Sequence, residues 1–254
     1  MKIDSILILA AGRGMRLRPY TDNLPKSLLP LGETNILRNL ILQSKKYFKE
    51  ARIYVNASYL AEKIIDEIAR LPLEIRPRII WEQIPLGPAY TVTNHCNETK
   101  GNVLVLHGDN FFTDFTYSEF AKSIDQYCQD ISILLCHQRA KSSARSQVIE
   151  KNGIVQSIWE SSISDLNVLP DGNYNSALVW SSSGAMVIKA QSLVNFIPER
   201  GAGLSPNLIN YIASREELFL EKCLGTRVSI DNEKSYLEAL EINKESQKLF
   251  DRSL

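Results

Sequence analysis

A short apolar strand near the start of the chain runs into a loop that carries two glycines and then two cations. Residues 6–9 form the strand, Gly12 and Gly14 follow it, and Arg16 and Lys26 lie further along the same loop. Glycine lets a backbone turn tightly and approach a ligand closely, and consecutive backbone N–H groups form a concave nest for anions. Arginine grips phosphate oxygens bidentately, and lysine acts as a compact point charge. The segment therefore predicts a binding site for a polyphosphate.

The spacing of the glycines excludes two other phosphate-binding loops. A dinucleotide fingerprint requires a third glycine at position 17, where this chain has Leu17. A P-loop ends in Gly-Lys-Ser or Gly-Lys-Thr, and that ending is absent here.

Apolar runs alternate with segments of helical periodicity through the first half of the chain. This alternation predicts an α/β fold with a doubly wound, mostly parallel, Rossmann-like sheet. Ligands of such sheets bind beyond the carboxyl ends of the strands, where the glycine loop and Asp109 both lie. The predicted strands are residues 3–9, 51–55, 79–81, 103–106 and 131–136, and the predicted helices are residues 36–48, 60–69 and 115–128.

The pattern changes from about residue 140. Three further strands, residues 147–149, 154–159 and 185–188, predict a small mixed β layer over the sheet. The Ser-, Asn- and Asp-rich residues 161–183 predict a mobile loop, and residues 236–250 predict a final amphipathic helix. We expect one domain over residues 1–254, with a core that carries the polyphosphate site (1–138), a lid region (139–227), and a last strand end and helix (228–254).

Composition excludes several classes of partner. Lys and Arg together number 29, as do Asp and Glu, so the chain has no basic excess to recruit nucleic acid or an anionic membrane. The four cysteines lack C-x-x-C spacing, which favours reduced thiols over a zinc site. No apolar run has membrane-spanning length and no signal peptide precedes the first strand, so we expect a cytoplasmic protein.

The whole of residues 9–26 resembles the N-terminal signature of the sugar-phosphate nucleotidyltransferase family, which makes nucleotide sugars. The shared pattern is L-A-A-G-x-G-x-R-L-x-P-x-T-x-x-x-P-K, and every fixed position is present. The resemblance implies a Mg²⁺-dependent enzyme that joins a nucleoside triphosphate to a sugar 1-phosphate and releases pyrophosphate, typically for cell-surface glycan synthesis. It implies catalytic roles for Arg16, Lys26 and Asp109. It also places the nucleotide against residues at the end of the strand and in the loop, namely Leu9, Ala10, Ala11, Gly12 and Gly14.

The resemblance also implies a magnesium site built from two aspartates. Asp109 ends an apolar strand in a Gly-Asp pair that holds the metal in the family, and one or two carboxylates with phosphate oxygens are what Mg²⁺ prefers. The second aspartate precedes the last helix. A short family pattern, Ile-Asp-x-x-x-x-Tyr, places it at Asp231, whereas the longer sugar-branch pattern would place Ser229 there. We expect Asp231 to be the ligand, and we expect His107 to pack inside the sheet.

Residues 82–89 resemble the loop with which the family reads the nucleobase. Gln83 offers a donor and an acceptor to a pyrimidine edge, and Gly87 lets the backbone meet the base. An ordinary loop before a helix would look similar.

The resemblance implies a nucleotide-binding core over residues 1–138 and an acceptor-binding region over residues 139–227, whose small β layer covers the acceptor site. This acceptor side departs from the family pattern. Relatives carry Glu-Lys-Pro after a strand, and the lysine grips the acceptor phosphate; here Glu160 matches, but Ser161 stands in place of the lysine. Gly184 corresponds to a family glycine in the sugar pocket. The cations that could replace the missing lysine are Arg139, Lys141, Arg145 and Lys189.

Three functions follow from these patterns. The first is a sugar-1-phosphate nucleotidyltransferase, weakened by Ser161. The second is a cytidylyltransferase for a non-sugar phosphate such as phosphocholine, which the short Ile-Asp pattern favours. The third is a catalytically silent nucleotide-binding module that regulates a partner, which the intact set of Arg16, Lys26 and Asp109 disfavours. A homodimer is compatible with all three.

Overall fold

The computed structural model describes residues 1–138, 146–160, 180–215 and 217–251. Its strands are β1 Ser5–Leu9, β2 Pro30–Leu31, β3 Thr34–Asn35, β4 Arg52–Ala57, β5 Arg78–Trp81, β6 Asn102–His107, β7 Asn110–Phe112, β8 Ser132–Gln138, β9 Ser146–Lys151, β10 Ile154–Glu160, β11 Trp180–Lys189, β12 Leu218–Lys222 and β13 Arg227–Ser229. Its α-helices are α1 Ile36–Tyr47, α2 Ala61–Ala69, α3 Pro88–Thr99, α4 Asp114–Gln126, α5 Asn210–Ala213 and α6 Glu233–Asp251.

Nine strands form one sheet in the order β5-β4-β1-β6-β11-β8-β12-β10-β9. The first four are parallel to one another, as the alternation of strands and helices predicted. β11 is antiparallel to both of its neighbours, β6 and β8. β10 is antiparallel to β12 and to β9. The α/β class is confirmed, but the sheet is mixed rather than mostly parallel.

Both faces of the sheet are covered, which explains why β1 is apolar throughout. Ile6 and Ile8 belong to one hydrophobic cluster, together with side chains from α1, α2, α4 and α6. Leu7 points to the other face and belongs to a second cluster, with side chains from α3 and from α5. Successive side chains of a strand point to opposite faces, so a strand that is covered on both sides must be apolar at every position.

The strands predicted after residue 140 exist, but they do not form a separate layer. β9 and β10 extend the edge of the main sheet, and β11 lies near its centre. Ala185 to Ile188 are all buried, as a central strand requires. Residues 161–179 of the predicted loop lie outside the described residues, while residues 180–183 belong to β11. The division of the chain at residues 138 and 227 stays a prediction.

The C-terminal part of the chain returns to the first loop. β13 pairs with β7, directly after the carboxyl end of β6. The hydroxyl of Tyr236 in α6 donates to the Pro30 carbonyl oxygen at 2.8 Å, and Asn243 Nδ2 donates to the Leu31 carbonyl oxygen at 3.3 Å. Across the ranges that the structure describes, no helix has the length and apolar character needed to span a bilayer.

Candidate active site

The glycine loop leaves β1 and folds back on itself. Gly14 has a φ of 62°, in the left-handed region, and begins a short 3₁₀ turn over Met15–Leu17. The Thr21 hydroxyl donates to the Gly14 carbonyl oxygen at 2.8 Å and closes the loop. A Cβ atom at position 14 would lie 3.0 Å from the Lys26 Cβ, so glycine lets the start of the loop pack against the residue that carries the second cation.

Four charged residues predicted from sequence come together beside this loop. Lys26 Nζ donates to Asp109 Oδ2 at 2.6 Å and lies 3.3 Å from Asp231 Oδ1. Arg16 Nη2 donates to the same Asp231 oxygen at 2.9 Å. We call these four residues the charged cluster: Arg16, Lys26, Asp109 and Asp231. It joins residues as much as 215 positions apart in the chain.

Asp109 is held firmly in the cluster and is ionised at neutral pH. It lies between β6 and β7, and its carbonyl oxygen accepts the Ile230 N–H at 2.9 Å. Burial raises the pKa of its carboxyl group, but the positive charges near it, Lys26 first, then His107 and Arg227, hold the pKa below its usual value. Asp109 Oδ1 is buried and has no hydrogen-bond partner.

The cluster fits a divalent cation that is shared with phosphate groups. A buried carboxylate oxygen without a partner is unusual in a folded protein and marks a place for an ion or water. Within the described ranges, no three His, Cys, Asp or Glu side chains come together as a ligand set for a metal. Mg²⁺ needs only one or two carboxylates when phosphate oxygens complete its shell, and Asp109 and Asp231 supply these.

A cavity of about 440 Å³ opens beside the charged cluster, at the carboxyl ends of β1 and β6. The residues predicted from sequence that line it are Leu9, Ala10, Ala11, Gly12, Lys26, Gly87 and Asp109. Arg16 and Asp231 do not line it and join the site through the charged cluster. Gly14 does not line it either, and its part is to shape the loop.

The far wall of the cavity depends on Gly87. This residue has a φ of 93°, and a Cβ atom there would lie 2.7 Å from the Gly201 Cα. The Gly201 N–H donates to the Leu86 carbonyl oxygen at 2.8 Å, and the Ala89 N–H donates to the Ala202 carbonyl oxygen at 3.2 Å. Residues 203–205 continue from this contact and also line the cavity. Gly87 therefore lets two backbone segments meet, and together they close the cavity.

Gln83 is not brought to the cavity, whereas its neighbour Glu82 is. Gln83 is exposed, and Glu82 is 5% exposed and lines the cavity. A base-reading role for Gln83 stays a prediction without support from this geometry. Asn56, also in the cavity wall, is a second residue that the sequence interpretation missed. A polar residue in the buried part of a strand, as Asn56 is near the carboxyl end of β4, was the signal for it.

His107 does not pack inside the sheet as expected. It is half-buried and lines the cavity, because it is the last residue of β6 and pairs with Leu9 at the carboxyl edge of the sheet. At that edge a side chain projects toward the site instead of toward a covering helix.

The acceptor side is described in part. Gly184, with a φ of 72°, lies in β11 against the side chain of buried Asn110, next to Asp109. Asn110 Oδ1 accepts a hydrogen bond from Arg227 Nε at 2.9 Å. Glu160 ends β10, and its side chain lies outside the described part of the structure. Its role and that of Gly184 stay predictions.

The structure places one of the four cations that could replace the missing lysine. Lys189 pairs with Asn102 at the start of β6, the edge of the sheet opposite the cavity, so it cannot reach an acceptor phosphate. Arg139, Lys141 and Arg145 lie outside the described residues.

Comparison with known proteins finds relatives in sequence and solved structures with a similar fold. A bifunctional protein GlmU from Methanococcus maripaludis is 29% identical over 160 residues, which are 63% of this chain and 34% of that relative, so the chain spans about a third of the relative's length. A crystal structure of UDP-glucose pyrophosphorylase with UDP-glucose has a similar fold, with a TM-score of 0.72 at 12% identity over 96% of this chain and 99% of the other.

A second solved structure, HddC from Yersinia pseudotuberculosis complexed with GMP-PN, has a TM-score of 0.69 at 18% identity and covers 94% of this chain and 99% of its own. The family model described as nucleotidyl transferase matches residues 5–160. That match takes in the glycine loop, Lys26, Asp109 and the cavity wall at Asn56 and Glu82. Because it also extends over more than half of the chain, this protein belongs to the nucleotidyl transferase family.

Proposed function

We propose that this protein is a Mg²⁺-dependent nucleotidyltransferase that joins a nucleoside triphosphate to a sugar 1-phosphate and releases pyrophosphate. The observation that carries the proposal is the charged cluster beside the cavity, in which two cations and two carboxylates lie within hydrogen-bonding distance of one another. A binding module has no evident need for a pair of cations held against a pair of carboxylates at the mouth of a nucleotide-sized cavity. The similarity to UDP-glucose pyrophosphorylase supports a sugar phosphate as the acceptor.

In the proposed reaction, an oxygen of the acceptor phosphate attacks the α-phosphorus of the triphosphate. A new P–O bond forms, the bond from the α-phosphorus to the bridging oxygen breaks, and pyrophosphate leaves with the electron pair. The acceptor phosphate is already anionic near neutral pH, so no general base is required. The protein's work is to position the reactants and to neutralise charge.

Each member of the charged cluster has a part in that work. Lys26 aligns the α-phosphate with the attacking oxygen, and Arg16 stabilises the leaving pyrophosphate. Backbone N–H groups of the glycine loop, around Gly12, bind the triphosphate. Asp109 and Asp231 would hold Mg²⁺, which when bound supplies positive charge to the phosphate oxygens.

We place the acceptor phosphate on the side of Asp109 that faces Arg227. The guanidinium of Arg227 is fixed through Nε by buried Asn110, which also packs against Gly184. Arg227 lies on β13, which pairs with β7 directly after Asp109, so its charge is close to the reacting groups. A fixed guanidinium beside the catalytic aspartate can do the work that the family's lysine does, which would compensate for Ser161.

The test of the main proposal is pyrophosphate release with Mg²⁺, with ATP, GTP, CTP, UTP and dTTP each assayed against sugar 1-phosphates and phosphocholine. Release with a sugar 1-phosphate supports the proposal and names both substrates. Release with phosphocholine alone would replace it with a cytidylyltransferase. Binding of a triphosphate without release in any combination would overturn it in favour of a silent nucleotide-binding module.

Two variants make the assay specific to this site. Arg16→Ala should lower turnover by about 100-fold or more, because a donor to developing charge is lost. The Arg16 side chain is 60% exposed, so folding should not change. The matched control is Arg18→Ala in the same loop, since Arg18 pairs with nearby Asp22 at 3.2 Å and lies outside the charged cluster, and it should retain near-normal turnover.

The acceptor assignment has its own prediction. Arg227→Ala should raise the KM for the acceptor about tenfold or more and leave the KM for the triphosphate within about twofold, because a charge-assisted contact to the acceptor alone is lost. Lys189→Ala, which removes the same charge at the opposite edge of the sheet, is the control and should change neither. Equal effects of the Arg227 variant on both KM values would contradict the assignment.

A further inference from the structure

Two buried polar residues in the cavity wall take no part in the proposed chemistry. Asn56 is 4% exposed and Glu82 is 5% exposed. They lie at the carboxyl ends of neighbouring parallel strands, β4 and β5, and Asn56 Nδ2 donates to Glu82 Oε1 at 3.0 Å. Burying a carboxylate costs several kcal/mol that well-packed apolar side chains would not cost. Fold stability therefore does not explain why this polar pair is buried in the cavity wall.

Each residue of the pair accepts a hydrogen bond from a different loop beside the cavity. Asn56 Oδ1 accepts the Ala10 N–H at 2.7 Å, at the start of the glycine loop. Glu82 Oε2 accepts the Leu86 N–H at 3.2 Å, in the loop that leads to Gly87. The result is one continuous chain of hydrogen bonds from the glycine loop to the loop on the far wall.

A second contact, made just after β4, also holds the glycine loop. Tyr59, three positions after Asn56, donates its hydroxyl hydrogen to the carbonyl oxygens of Thr21 and Asp22, at 3.3 and 3.2 Å. The glycine loop is thus held near both of its ends, by Asn56 near the carboxyl end of β4 and by Tyr59 just after β4. Through Glu82, Asn56 is also linked to the far wall.

We propose that Asn56 and Glu82 are positioning residues that hold the phosphate-binding loop and the nucleobase-binding loop at a fixed separation. The inference rests on the proposed function, because it takes the cavity to bind a nucleoside triphosphate. Two subsites that are rigidly joined bind the two ends of one ligand with a high effective concentration. If the connection loosens, each subsite still binds its own fragment, but the whole nucleotide loses affinity.

The variant that separates these effects is Glu82→Gln. A glutamine oxygen can still accept from Asn56 and from Thr91, but its amide group then faces the Leu86 N–H as donor against donor. The link to the far wall breaks while the link to the glycine loop remains. Tripolyphosphate, which engages only the glycine loop, is the probe for one subsite. The triphosphate that binds most tightly among ATP, GTP, CTP, UTP and dTTP is the probe for both.

Calorimetric titration should show that Glu82→Gln weakens binding of the nucleoside triphosphate about tenfold or more and changes tripolyphosphate binding less than twofold. The matched control is Thr91→Val, which removes the hydroxyl that contacts Glu82 Oε1 and the Gly87 carbonyl oxygen but leaves the Asn56–Ala10 and Glu82–Leu86 bonds in place, and it should weaken triphosphate binding less than threefold. The proposal would be overturned if Glu82→Gln lost affinity equally for the nucleoside triphosphate and tripolyphosphate, or lost no affinity at all. It would also be overturned if Glu82→Gln and Thr91→Val lost the same affinity for the triphosphate.

A second variant keeps the test usable if Glu82→Gln does not fold. Asn56→Ser breaks the link to Ala10 and leaves the bond between Glu82 and Leu86, so binding of the free nucleoside should be unchanged while triphosphate binding falls about tenfold. Loss of nucleoside binding in this variant would contradict the proposal. All of these experiments measure binding, whereas the proposed function is tested by pyrophosphate release. The positioning proposal can therefore be overturned while the proposed function stands, and the proposed function can be overturned while the positioning proposal stands.

Discussion

Lys26 occupies the space between two carboxylates that come from distant parts of the chain. Its side chain is 12% exposed, and it lies 2.6 Å from Asp109 Oδ2 and 3.3 Å from Asp231 Oδ1. A lysine in this position neutralises both carboxylates when no ligand is bound. A triphosphate would attract Lys26 toward its own oxygens and free the carboxylates for a metal ion.

We therefore expect Lys26→Met to tighten Mn²⁺ binding to the nucleotide-free protein about tenfold. The reason is that a charge-assisted hydrogen bond of about 1.5–3 kcal/mol no longer competes for the carboxylates. Titration followed by electron paramagnetic resonance measures the change, and Lys189→Met is the control for loss of one positive charge. Unchanged or weaker Mn²⁺ binding in Lys26→Met would show that Lys26 does not compete with a metal.

Gly87 and Gly153 share a left-handed backbone but differ in their surroundings. Their φ values are 93° and 81°; a Cβ at Gly87 would meet the backbone of Gly201, whereas one at Gly153 would meet nothing within 4 Å. Gly153→Ala should lower the free energy of unfolding by about 1 kcal/mol, through backbone strain alone. Gly87→Ala should cost about 1–3 kcal/mol more, because backbone atoms must move. Urea denaturation of the two variants gives the comparison, and equal losses of stability would contradict it.

At the scale of elements, α3 connects the cavity to the opposite edge of the sheet. It begins at Pro88 in the cavity wall, and its other end carries His95, which is 2% exposed. The imidazole Nε2 hydrogen-bonds the Ser5 hydroxyl at 2.9 Å, and the ring lies 4.5 Å from that of Tyr54. Burial lowers the pKa of His95 from 6.5 to about 4, so the ring is neutral in the folded protein.

This packing predicts a pH dependence of stability. Between pH 6.5 and pH 4 the unfolded chain protonates His95 and the folded chain does not, so the free energy of unfolding falls as pH falls. At about 1.4 kcal/mol per pH unit, the loss approaches about 3 kcal/mol across this window, with no effect above it. Urea denaturation at several pH values should show a shallower slope for His95→Gln.

Other groups do not obscure that comparison. The pKa of Asp109 is below its usual value of 3.8, so the stability that its ionised carboxylate contributes is lost mainly below the pH range in which His95 acts. That loss is the same in the wild-type protein and in His95→Gln. Equal slopes for the wild-type protein and His95→Gln would mean that His95 is not buried as a neutral ring.

At the scale of the whole molecule, the return of the C-terminal segment completes the site. Pairing of β13 with β7 and docking of α6 on β2 bring Asp231 to Lys26, 205 residues away in the chain. Tyr236 is the main anchor, since it is 7% exposed and its hydroxyl donates to the Pro30 carbonyl oxygen at 2.8 Å. The pair of carboxylates, Asp109 and Asp231, therefore comes together only when these distant segments are packed against each other.

Two substitutions at Tyr236 test this anchor. Tyr236→Phe should lower the free energy of unfolding by about 1 kcal/mol through the lost hydrogen bond, and Tyr236→Ala by about 3–5 kcal/mol through lost packing. Tyr20→Phe is the control, because the Tyr20 hydroxyl bonds Glu233 at the exposed surface, and it should change stability by less than about 0.5 kcal/mol. Urea denaturation measures all three, and a Tyr236→Ala protein as stable as the wild type would show that α6 is not needed to hold the fold.

From the sequence alone, the α/β class and the glycine loop with Arg16 and Lys26 were predictable, because they depend on local periodicity and on one contiguous motif. Asp109 and Asp231 were predictable from shorter family patterns elsewhere in the chain. The mixed order of the sheet became evident only in the folded structure, since strand pairing depends on which partners a strand meets after folding. The folded structure alone showed that Glu82 rather than Gln83 faces the cavity and that Lys189 lies at the wrong edge. A side chain at the end of a strand faces a ligand only when distant segments have packed around it. No local pattern in the sequence encodes that arrangement.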